Sequence, residues 1–378
     1  MKVLEEVLTR KEFLKRAISL GVGLGAFPLI GLSSLGEDYD SRDLVEARHY
    51  QRLSGKRVQC LMCFRRCVVP EGTRGFCRNK VNIDGRYYTL VYGKPCALQI
   101  DPIEKEPVFH MLPGTKIYCI ATASCNNRCK FCHNWHISQR SVEETMNFEA
   151  TPQEVVESAR VEGCEGISFT YSEPTVFYEY MFDIAKLAKK RGFRVIFHTN
   201  GSMNEEPLLS LLRYMDAVTV DLKAFTPKFY REVSSSELDP VLKTLKNIKE
   251  AGVHLEVVNL VIPTLNDDLR DIRRMCVWIR ENLGADTPLH FNRFSPAYKL
   301  TKLPYTPVST LEDAREVAVS EGLRYIYIGN VPGHPFNSTF CPRCGKRLIH
   351  RVHFAVLSNE IVDGRCKFCG ESIPGIWG

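Results

Sequence analysis

Between about residues 113 and 330, short apolar runs rich in β-branched and aromatic side chains alternate with stretches of helical character. Runs of this kind between turn residues are typical of buried strands. The seven predicted strands span residues 117–123, 166–171, 194–199, 217–222, 255–262, 289–294 and 325–328. Because strands and helices alternate along the chain, we expect a parallel sheet.

The helical stretches carry their own start signals. Thr151 and Glu154 flank Pro152 in the pattern of a capping box, and Ser309 with Glu312 repeats it. Six or seven strand–helix units without a Gly-x-Gly-x-x-Gly fingerprint favour an α/β fold of the TIM type, as a full or partial barrel. In such barrels the functional residues follow the carboxyl ends of the strands.

The N-terminal segment, residues 1–36, differs from the rest of the chain. Residues 17–35 are almost uncharged and follow a basic cluster, and residues 9–15 resemble a twin-arginine export signal in which lysine replaces the second arginine. We therefore expect a signal or membrane-anchoring segment that leads to export or membrane association. The alternative is a buried or peripheral N-terminal helix of a cytoplasmic enzyme. The basic residues are Arg10, Lys11, Lys15 and Arg16.

Composition narrows the class of protein. The 378 residues are 44% hydrophobic and 25% charged, which excludes disorder and fits one to three globular domains. Fifty Lys and Arg against 44 Asp and Glu leave a net charge of +6, too small and too evenly spread to indicate a nucleic-acid partner. Fifteen cysteines in closely spaced groups indicate metal sites instead of disulfides.

The cysteines divide the remaining chain into a cysteine-rich N-terminal module (37–112), a barrel (113–330) and a tail (331–378). The module offers four thiolates that suit zinc or a second iron–sulfur cluster, and ligand type alone does not decide between them. The tail has two Cys-x-x-Cys-Gly turns, which predict a zinc ribbon that clips the chain end, with protein or nucleic-acid binding as the alternative. The two sets are Cys60, Cys63, Cys67 and Cys77 in the module, and Cys341, Cys344, Cys366 and Cys369 in the tail.

A third group follows the first predicted strand, where Cys125, Cys129 and Cys132 have Cys-x-x-x-Cys-x-x-Cys spacing. Three thiolates leave one iron of a 4Fe–4S cluster open to bind a substrate or cosubstrate, whereas four saturate it. The alternative is that Cys119 or Cys164 completes an ordinary zinc or ferredoxin-like site.

The three-cysteine motif, with Phe131 before its third cysteine, resembles the radical S-adenosylmethionine (SAM) superfamily. The resemblance implies that the open iron binds the amino and carboxylate groups of SAM. It also implies that an electron from the reduced cluster splits SAM to a 5′-deoxyadenosyl radical, which abstracts hydrogen from a substrate. An electron donor such as flavodoxin or ferredoxin is then required.

Polar residues at successive strand ends match positions that pyruvate formate-lyase activating enzymes use to hold SAM. Those enzymes have Gly-Gly-Glu where this chain has Tyr171, Ser172 and Glu173. Read without the resemblance, Glu173 is a helix N-terminal charge, Asn200 and Gly201 form only a turn, and Asp221 with Lys223 is a solvated strand end. The residues expected to bind SAM are Glu173, His198, Asn200, Asp221 and Lys223, and His290, Asn292, Arg293 and Asn330 complete the same rim with weaker support.

Residues 58–378 as a whole resemble the radical enzyme of the AmmeMemoRadiSam system, which is related to the glycyl-radical activases. The resemblance implies a MEMO-type metalloprotein and an AMMECR-type protein as partners. Hydrogen abstraction from a glycine of a partner protein or from a small molecule both remain open, and the alternative function is a noncatalytic iron–sulfur and zinc module for electron transfer or for protein or nucleic-acid binding. The motifs are Cys-x-x-Cys-x-x-x-Cys at 60–67, Asp-Pro-Ile-Glu-Lys at 101–105, Leu-Pro-Gly at 112–114, Tyr-Ser-Glu-Pro at 171–174, Ile-Pro-Thr-Leu-Asn-Asp at 262–267, Arg-Phe-Ser-Pro at 293–296 and Tyr-Ile-Gly-Asn at 327–330.

Overall fold

A computed structural model describes residues 41–378, so the predicted signal segment lies outside the described residues. After a 3₁₀ turn at Ser41–Asp43, the N-terminal module forms two small antiparallel sheets, one of β2, β3 and β4 and one of β1, β6 and β5. Ala47, Val58, Val69 and Tyr87 make its small core. The strands are β1 (Val45–Glu46), β2 (Tyr50–Arg52), β3 (Val58–Cys60), β4 (Val68–Val69), β5 (Lys80–Ile83) and β6 (Arg86–Thr89).

The central feature is a sheet of eight strands whose spatial order follows the chain. Strands β8 to β14 are parallel, and β7 pairs antiparallel with β8. The two outer strands, β7 and β14, do not pair with each other, so the sheet is an open partial barrel. The strands are β7 (Ala97–Pro102), β8 (Lys116–Ala121), β9 (Gly166–Phe169), β10 (Arg194–Thr199), β11 (Ala217–Asp221), β12 (His254–Val261), β13 (Leu289–Arg293) and β14 (Ile326–Gly329).

All seven predicted strands are confirmed, with ends that differ by at most two residues. Their side chains are buried on both faces, as expected for parallel strands that helices cover. The antiparallel strand β7 was not predicted. Strand β7 precedes the region in which strands and helices alternate, so that pattern does not predict it.

Helices follow most of the parallel strands, and no helix within residues 41–378 is both long and apolar enough to cross a membrane. The helices are α1 (Trp135–Ser138), α2 (Pro152–Val161), α3 (Tyr178–Lys190), α4 (Glu205–Leu212), α5 (Pro227–Phe229), α6 (Leu238–Glu250), α7 (Leu269–Asn282) and α8 (Val308–Ser320). Short 3₁₀ turns span Ile103–Lys105, Val142–Glu144, Pro174–Phe177 and Pro335–Asn337, and a π-helical turn spans Tyr230–Ser234.

One of the two predicted capping boxes forms. The Thr151 hydroxyl accepts a hydrogen bond from the Glu154 amide at 3.2 Å, and the Glu154 carboxylate accepts one from the Thr151 amide at 2.8 Å. The box expected at Ser309 and Glu312 is wrong, because α8 already begins at Val308 and Ser309 lies inside its first turn. Pro307, which cannot donate a hydrogen bond, is the last extended residue before that helix.

The tail forms short antiparallel strands that pack against the end of the partial barrel. Leu348 and Ile349 join Phe109 and Tyr327 in one buried cluster. The fully buried Arg351 strengthens this contact, since its guanidinium donates to the backbone oxygen of Phe109 at 2.7 Å. The strands are β15 (Thr339–Phe340), β16 (Arg347–Val352), β17 (Ala355–Asn359), β18 (Ile361–Val362) and β19 (Arg365–Cys366).

Candidate active site

The three closely spaced cysteines lie in the loop that leaves the carboxyl end of β8. Ser124 begins the turn with a φ of 75°, and its hydroxyl donates to the backbone oxygen of Cys77 at 2.5 Å. Inside the loop the amide of Asn127 donates to Cys125 Sγ at 3.3 Å, and Cys132 Sγ lies 3.1 Å from Ser138 Oγ. The loop therefore holds its sulfurs through contacts made by its own backbone and by Ser138, the last residue of α1.

These sulfurs suit a group larger than a single ion. Within residues 41–378, only the tail set brings three or more ligand atoms within 4.8 Å of one another, so at least two sulfurs of the loop are farther apart. Burial raises the pKa of the Cys125 thiol well above its usual range and that of Cys129 to about 11. Because buried thiolates need a positive partner, the three residues fit an iron–sulfur cluster.

The two residues considered as a fourth ligand lie elsewhere. Cys164 immediately precedes Glu165, whose amide bonds the Lys116 oxygen at the start of β8, so it is at the opposite edge of the sheet from the cysteine loop. Cys119 lies within β8, and its thiol contacts Glu106 Oε1 at 3.4 Å. The sheet therefore separates Cys164 from the loop, and Cys119 has a carboxylate as its neighbour.

Glu173 and Asn200 lie on the Cys125 side of the loop. The Asn200 amide group donates to Cys125 Sγ at 3.7 Å and to Asn126 Oδ1 at 2.8 Å. The buried Glu173 carboxylate accepts hydrogen bonds from Thr199 Oγ1 and from the backbone amide of Asn200, each at 2.8 Å. Glu173 thus ties the segment after β9 to the end of β10, and its direct contact with SAM stays a prediction.

Tyr171 replaces the first glycine of the activase pattern, yet it keeps a glycine-like backbone. Its φ of 59° is in the left-handed region, which is uncommon for a residue with a side chain. Two contacts hold it there: its hydroxyl donates to the Asp101 carboxylate, and its backbone oxygen accepts from Asn134 Nδ2 at 2.9 Å. Tyr171 therefore has a backbone conformation that glycine adopts more readily.

A chain of charged side chains lies on the Cys129 side of the loop. His198 on β10 lies 3.4 Å from Glu106 and 3.4 Å from Asp221, and Lys223 Nζ lies 2.8 Å from Asp221 Oδ2. Burial lowers the pKa of His198, but the two carboxylates outweigh burial and raise it to about 10. His198 is therefore a cation at neutral pH, and the positive charge of Lys223 holds the pKa of Asp221 well below its usual range even though burial opposes this.

The sheet face beside this chain has polar groups ready for a bound molecule. In the sheet, Thr219 pairs with His198 on the neighbouring strand, and Ser168 pairs with Ile196. Because Ile196 lies two residues before His198 on the same strand, the side chains of Ser168, His198 and Thr219 share one face of the sheet. The hydroxyls of Ser168 and Thr219 are buried and have no hydrogen-bond partner within residues 41–378. Such groups are costly unless a ligand or water satisfies them, which fits the binding of a polar cosubstrate such as SAM.

Three residues of the site were missed by the sequence analysis. Glu106 faces His198, Asn126 contacts both Asn200 and Ser202, and Arg128 donates to the Cys125 oxygen at 2.6 Å and the Phe76 oxygen at 2.8 Å. Asn126 and Arg128 lie inside the cysteine motif, where only the cysteines and Phe131 were considered. Glu106 directly follows the Asp-Pro-Ile-Glu-Lys motif, and that proximity was its only signal.

The weaker rim residues have mostly structural contacts. His290 is fully buried and lies 2.6 Å from the buried Glu256, so it is a satisfied core histidine. Arg293 Nε donates to the Thr306 oxygen at 2.8 Å, and Asn330 Nδ2 donates to the Arg293 oxygen at 3.2 Å. Asn292 packs against Gly329, where a Cβ atom would lie 1.9 Å from its Oδ1.

The four tail cysteines converge on one point. Their sulfurs all lie within 4.8 Å of one another, with Cys341–Cys369 at 3.6 Å and Cys344–Cys366 at 3.8 Å. Ligands at 2.3 Å from a tetrahedral zinc are separated by about 3.8 Å, so the set has the dimensions of a four-thiolate zinc site. Zinc itself stays a prediction.

Comparisons with known proteins show what this chain is similar to. Residues 119–276 match the model of the Radical SAM superfamily. An uncharacterized protein of Methanocaldococcus jannaschii is 46% identical over 330 residues, which are 87% of this chain and 98% of that protein. A pyruvate formate-lyase-activating enzyme of Staphylococcus epidermidis is 22% identical over 58% of this chain and 92% of its own length. The solved structure of Streptococcus suis SuiB bound to S-adenosylmethionine, at 16% identity, covers 60% of this chain and 53% of that one with a TM-score of 0.45.

Proposed function

Because the chain belongs to the radical SAM superfamily, we propose that it is an enzyme that reductively cleaves SAM and abstracts a hydrogen atom from its substrate. The observation that carries this proposal is the arrangement around the cysteine loop. Three thiols, one buried and two half-buried, lie at the carboxyl edge of the sheet, with Asn200 on one side and Lys223 on the other. When bound there, a reduced 4Fe–4S cluster supplies the electron that splits SAM into methionine and a 5′-deoxyadenosyl radical.

The protein's own residues bind and orient in this proposal. Lys223 offers an ammonium to the carboxylate of SAM, and Asp221 fixes that ammonium in place. Asn200 holds Cys125 through its amide group, while Glu173 holds the backbone of Asn200.

For the substrate we propose a glycine in the backbone of a partner protein. Relatives named as activating enzymes of pyruvate formate-lyase and of a glycyl-radical enzyme support this class. A second support is a pair of partly exposed aromatic rings next to the cysteine loop, Trp135 and Tyr298, which stack at 5.5 Å between centroids. Exposed aromatic residues are enriched at protein–protein contacts.

The decisive experiment measures 5′-deoxyadenosine after anaerobic reconstitution with dithionite and SAM. We expect the wild type to form it, and we expect Cys125→Ala, Cys129→Ala and Cys132→Ala each to abolish it. Cys276→Ala is the matched control, because this buried thiol lies in α7 away from the loop. Full activity in any of the three loop variants would contradict the assignment, and no product from the wild type would favour a noncatalytic metal-binding module.

We also propose the partners that the resemblance implies, and the same assay tests them. A flavodoxin or ferredoxin should replace dithionite as the electron donor. MEMO-type and AMMECR-type proteins, added one at a time, should raise the rate of deoxyadenosine formation if one of them carries the substrate. The rate would stay unchanged if the substrate is a small molecule or another protein.

A further inference from the structure

The N-terminal module contains a second cysteine-lined pocket. Four cysteines lie around it: Cys60 at the end of β3, Cys63 in the following turn, Cys67 before β4 and Cys77 before β5. The pocket encloses about 390 Å³, part of it open to solvent. The four residues lie at or beside β3, β4 and β5, so the fold itself brings the thiols together.

The spacing of these sulfurs excludes their sharing a zinc ion in the usual way. Two ligands at 2.3 Å from one zinc are at most about 4.6 Å apart. Within residues 41–378, no three ligand atoms outside the tail lie within 4.8 Å of one another. Every trio of the module's cysteines therefore contains a pair that is too far apart to bind one zinc as placed.

The same chain provides an internal comparison. The tail cysteines, Cys341 to Cys369, have zinc-like spacing, whereas the loop cysteines, Cys125 to Cys132, are spaced more widely. The module's cysteines belong with the second group. Four thiolates at wide spacing are the ligand set of a complete 4Fe–4S cluster. We infer that Cys60, Cys63, Cys67 and Cys77 bind a second 4Fe–4S cluster, saturated by protein thiolates.

The surroundings suit a group with net negative charge. Lys80, of which 2% is exposed, lines the pocket together with Arg65 and Arg66, and its ammonium also pairs with the Glu179 carboxylate at 2.6 Å. A cubane cluster with four thiolate ligands is anionic, and a buried ammonium near it offsets part of the cost of burying that charge. Arg65 is held in place by the Phe76 ring, which lies 3.5 Å from its guanidinium carbon.

The pocket shares a wall with the loop that holds the proposed catalytic cluster. Asn126, between Cys125 and Arg128, lines the pocket, and its backbone oxygen accepts from Arg65 Nε at 2.7 Å. The Cys77 oxygen accepts from Ser124 Oγ at 2.5 Å. The segments that carry the two cysteine sets are therefore joined by direct hydrogen bonds, and the second cluster lies beside the first.

The test counts iron, sulfide and zinc in anaerobically reconstituted full-length protein. We expect about eight irons and eight sulfides per chain in the wild type. The variant with Cys125→Ala, Cys129→Ala and Cys132→Ala should keep about four, and dithionite should give it the electron paramagnetic resonance signal of a reduced 4Fe–4S cluster. Adding Cys63→Ala and Cys67→Ala should remove these irons, whereas adding Cys96→Ala and Cys276→Ala should not.

Each other outcome overturns the inference. An iron-free triple variant, or a second zinc per chain besides that of the tail, would mean that the module does not bind an iron–sulfur cluster. Irons that survive Cys63→Ala and Cys67→Ala would lie elsewhere. The iron counts of the wild type and the triple variant still test the inference even if the variant with all five substitutions does not fold. A failure of the proposed function looks different, because the wild type would then form no 5′-deoxyadenosine whatever its iron content.

Discussion

Lys223 donates a hydrogen bond to Asp221 two residues before it, with 2.8 Å between Nζ and Oδ2. The same ammonium lies 5.7 Å above the ring of Phe131 in the cysteine loop. It is therefore fixed between the end of β11 and the loop, where it can reach a ligand of the loop. Burial opposes its charge, but the carboxylate of Asp221 outweighs burial and raises the pKa of Lys223.

We expect Lys223→Met to weaken SAM binding roughly ten- to hundredfold while the iron content stays unchanged. The reason is the loss of a charge-assisted hydrogen bond, which contributes about 1.5 to 3 kcal/mol. Anaerobic isothermal titration measures the affinity. The control is Lys243→Met, since Lys243 pairs with the exposed Glu205 away from the site. Equal affinity in the wild type and Lys223→Met would remove this residue from the SAM site.

The charge of His198 predicts a pH dependence. The pKa of His198 is raised from 6.5 to about 10 in the folded protein, so its stabilising effect is complete below pH 6.5 and is lost as the pH rises toward 10. The melting temperature of the wild type should therefore fall between these values more than that of His198→Gln. Differential scanning fluorimetry at pH 6.5 and 9.5 checks this, and parallel slopes for the two proteins would show that His198 is not protonated.

The turn after Asn200 requires glycine for two reasons. Gly201 has a φ of 73°, and a Cβ atom there would lie 2.9 Å from side-chain carbons of Val220 and Val241. We expect Gly201→Ala to lower the free energy of unfolding by about 2 to 4 kcal/mol, from backbone strain and overpacking together. Gly163→Ala is a matched control, because Gly163 has a φ of 66° and open space around it. It should lose only about 1 kcal/mol, and equal losses would refute the steric part.

A buried ion pair connects the N-terminal module to the barrel. Lys80 Nζ on β5 lies 2.6 Å from Glu179 Oε1 on α3, and both side chains are almost fully buried. We expect Glu179→Ala to cost about 3 to 5 kcal/mol in chemical denaturation, because it leaves the ammonium buried without its partner. Glu157→Ala, which removes the exposed partner of Arg160, should cause no measurable loss. A small effect of Glu179→Ala would mean that water reaches Lys80.

The zinc site proposed for the tail should be independent of the iron–sulfur sites. Cys344→Ser or Cys369→Ser should release one zinc per chain and lower the melting temperature, because metal affinity at a closed site is coupled to folding. The visible absorbance of the iron–sulfur protein should not change. Metal analysis by mass spectrometry is the readout, and loss of iron instead of zinc would show that the tail carries a cluster.

The sequence by itself determined the parallel sheet and the cysteine loop. Both are local signals, because each parallel strand is encoded in four to eight consecutive residues and Cys125, Cys129 and Cys132 lie within eight. The strand ends also placed His198 and Asp221 at one edge, since consecutive parallel strands bring their carboxyl ends together. The tertiary structure places their side chains 3.4 Å apart.

Only the tertiary structure decided which distant groups meet. Glu106 contacts His198 from the segment after β7, a strand that the alternation of strands and helices did not predict. Arg351 donates to the backbone oxygen of Phe109, which is 242 residues away in the sequence. The same residue type also forms two different arrangements. The sulfurs of the four tail cysteines lie at zinc-like distances from one another, while those of the four module cysteines are farther apart. Sequence spacing fixes which thiols are available, but the packing of the strands that carry them fixes the size of the site and hence the metal group it suits.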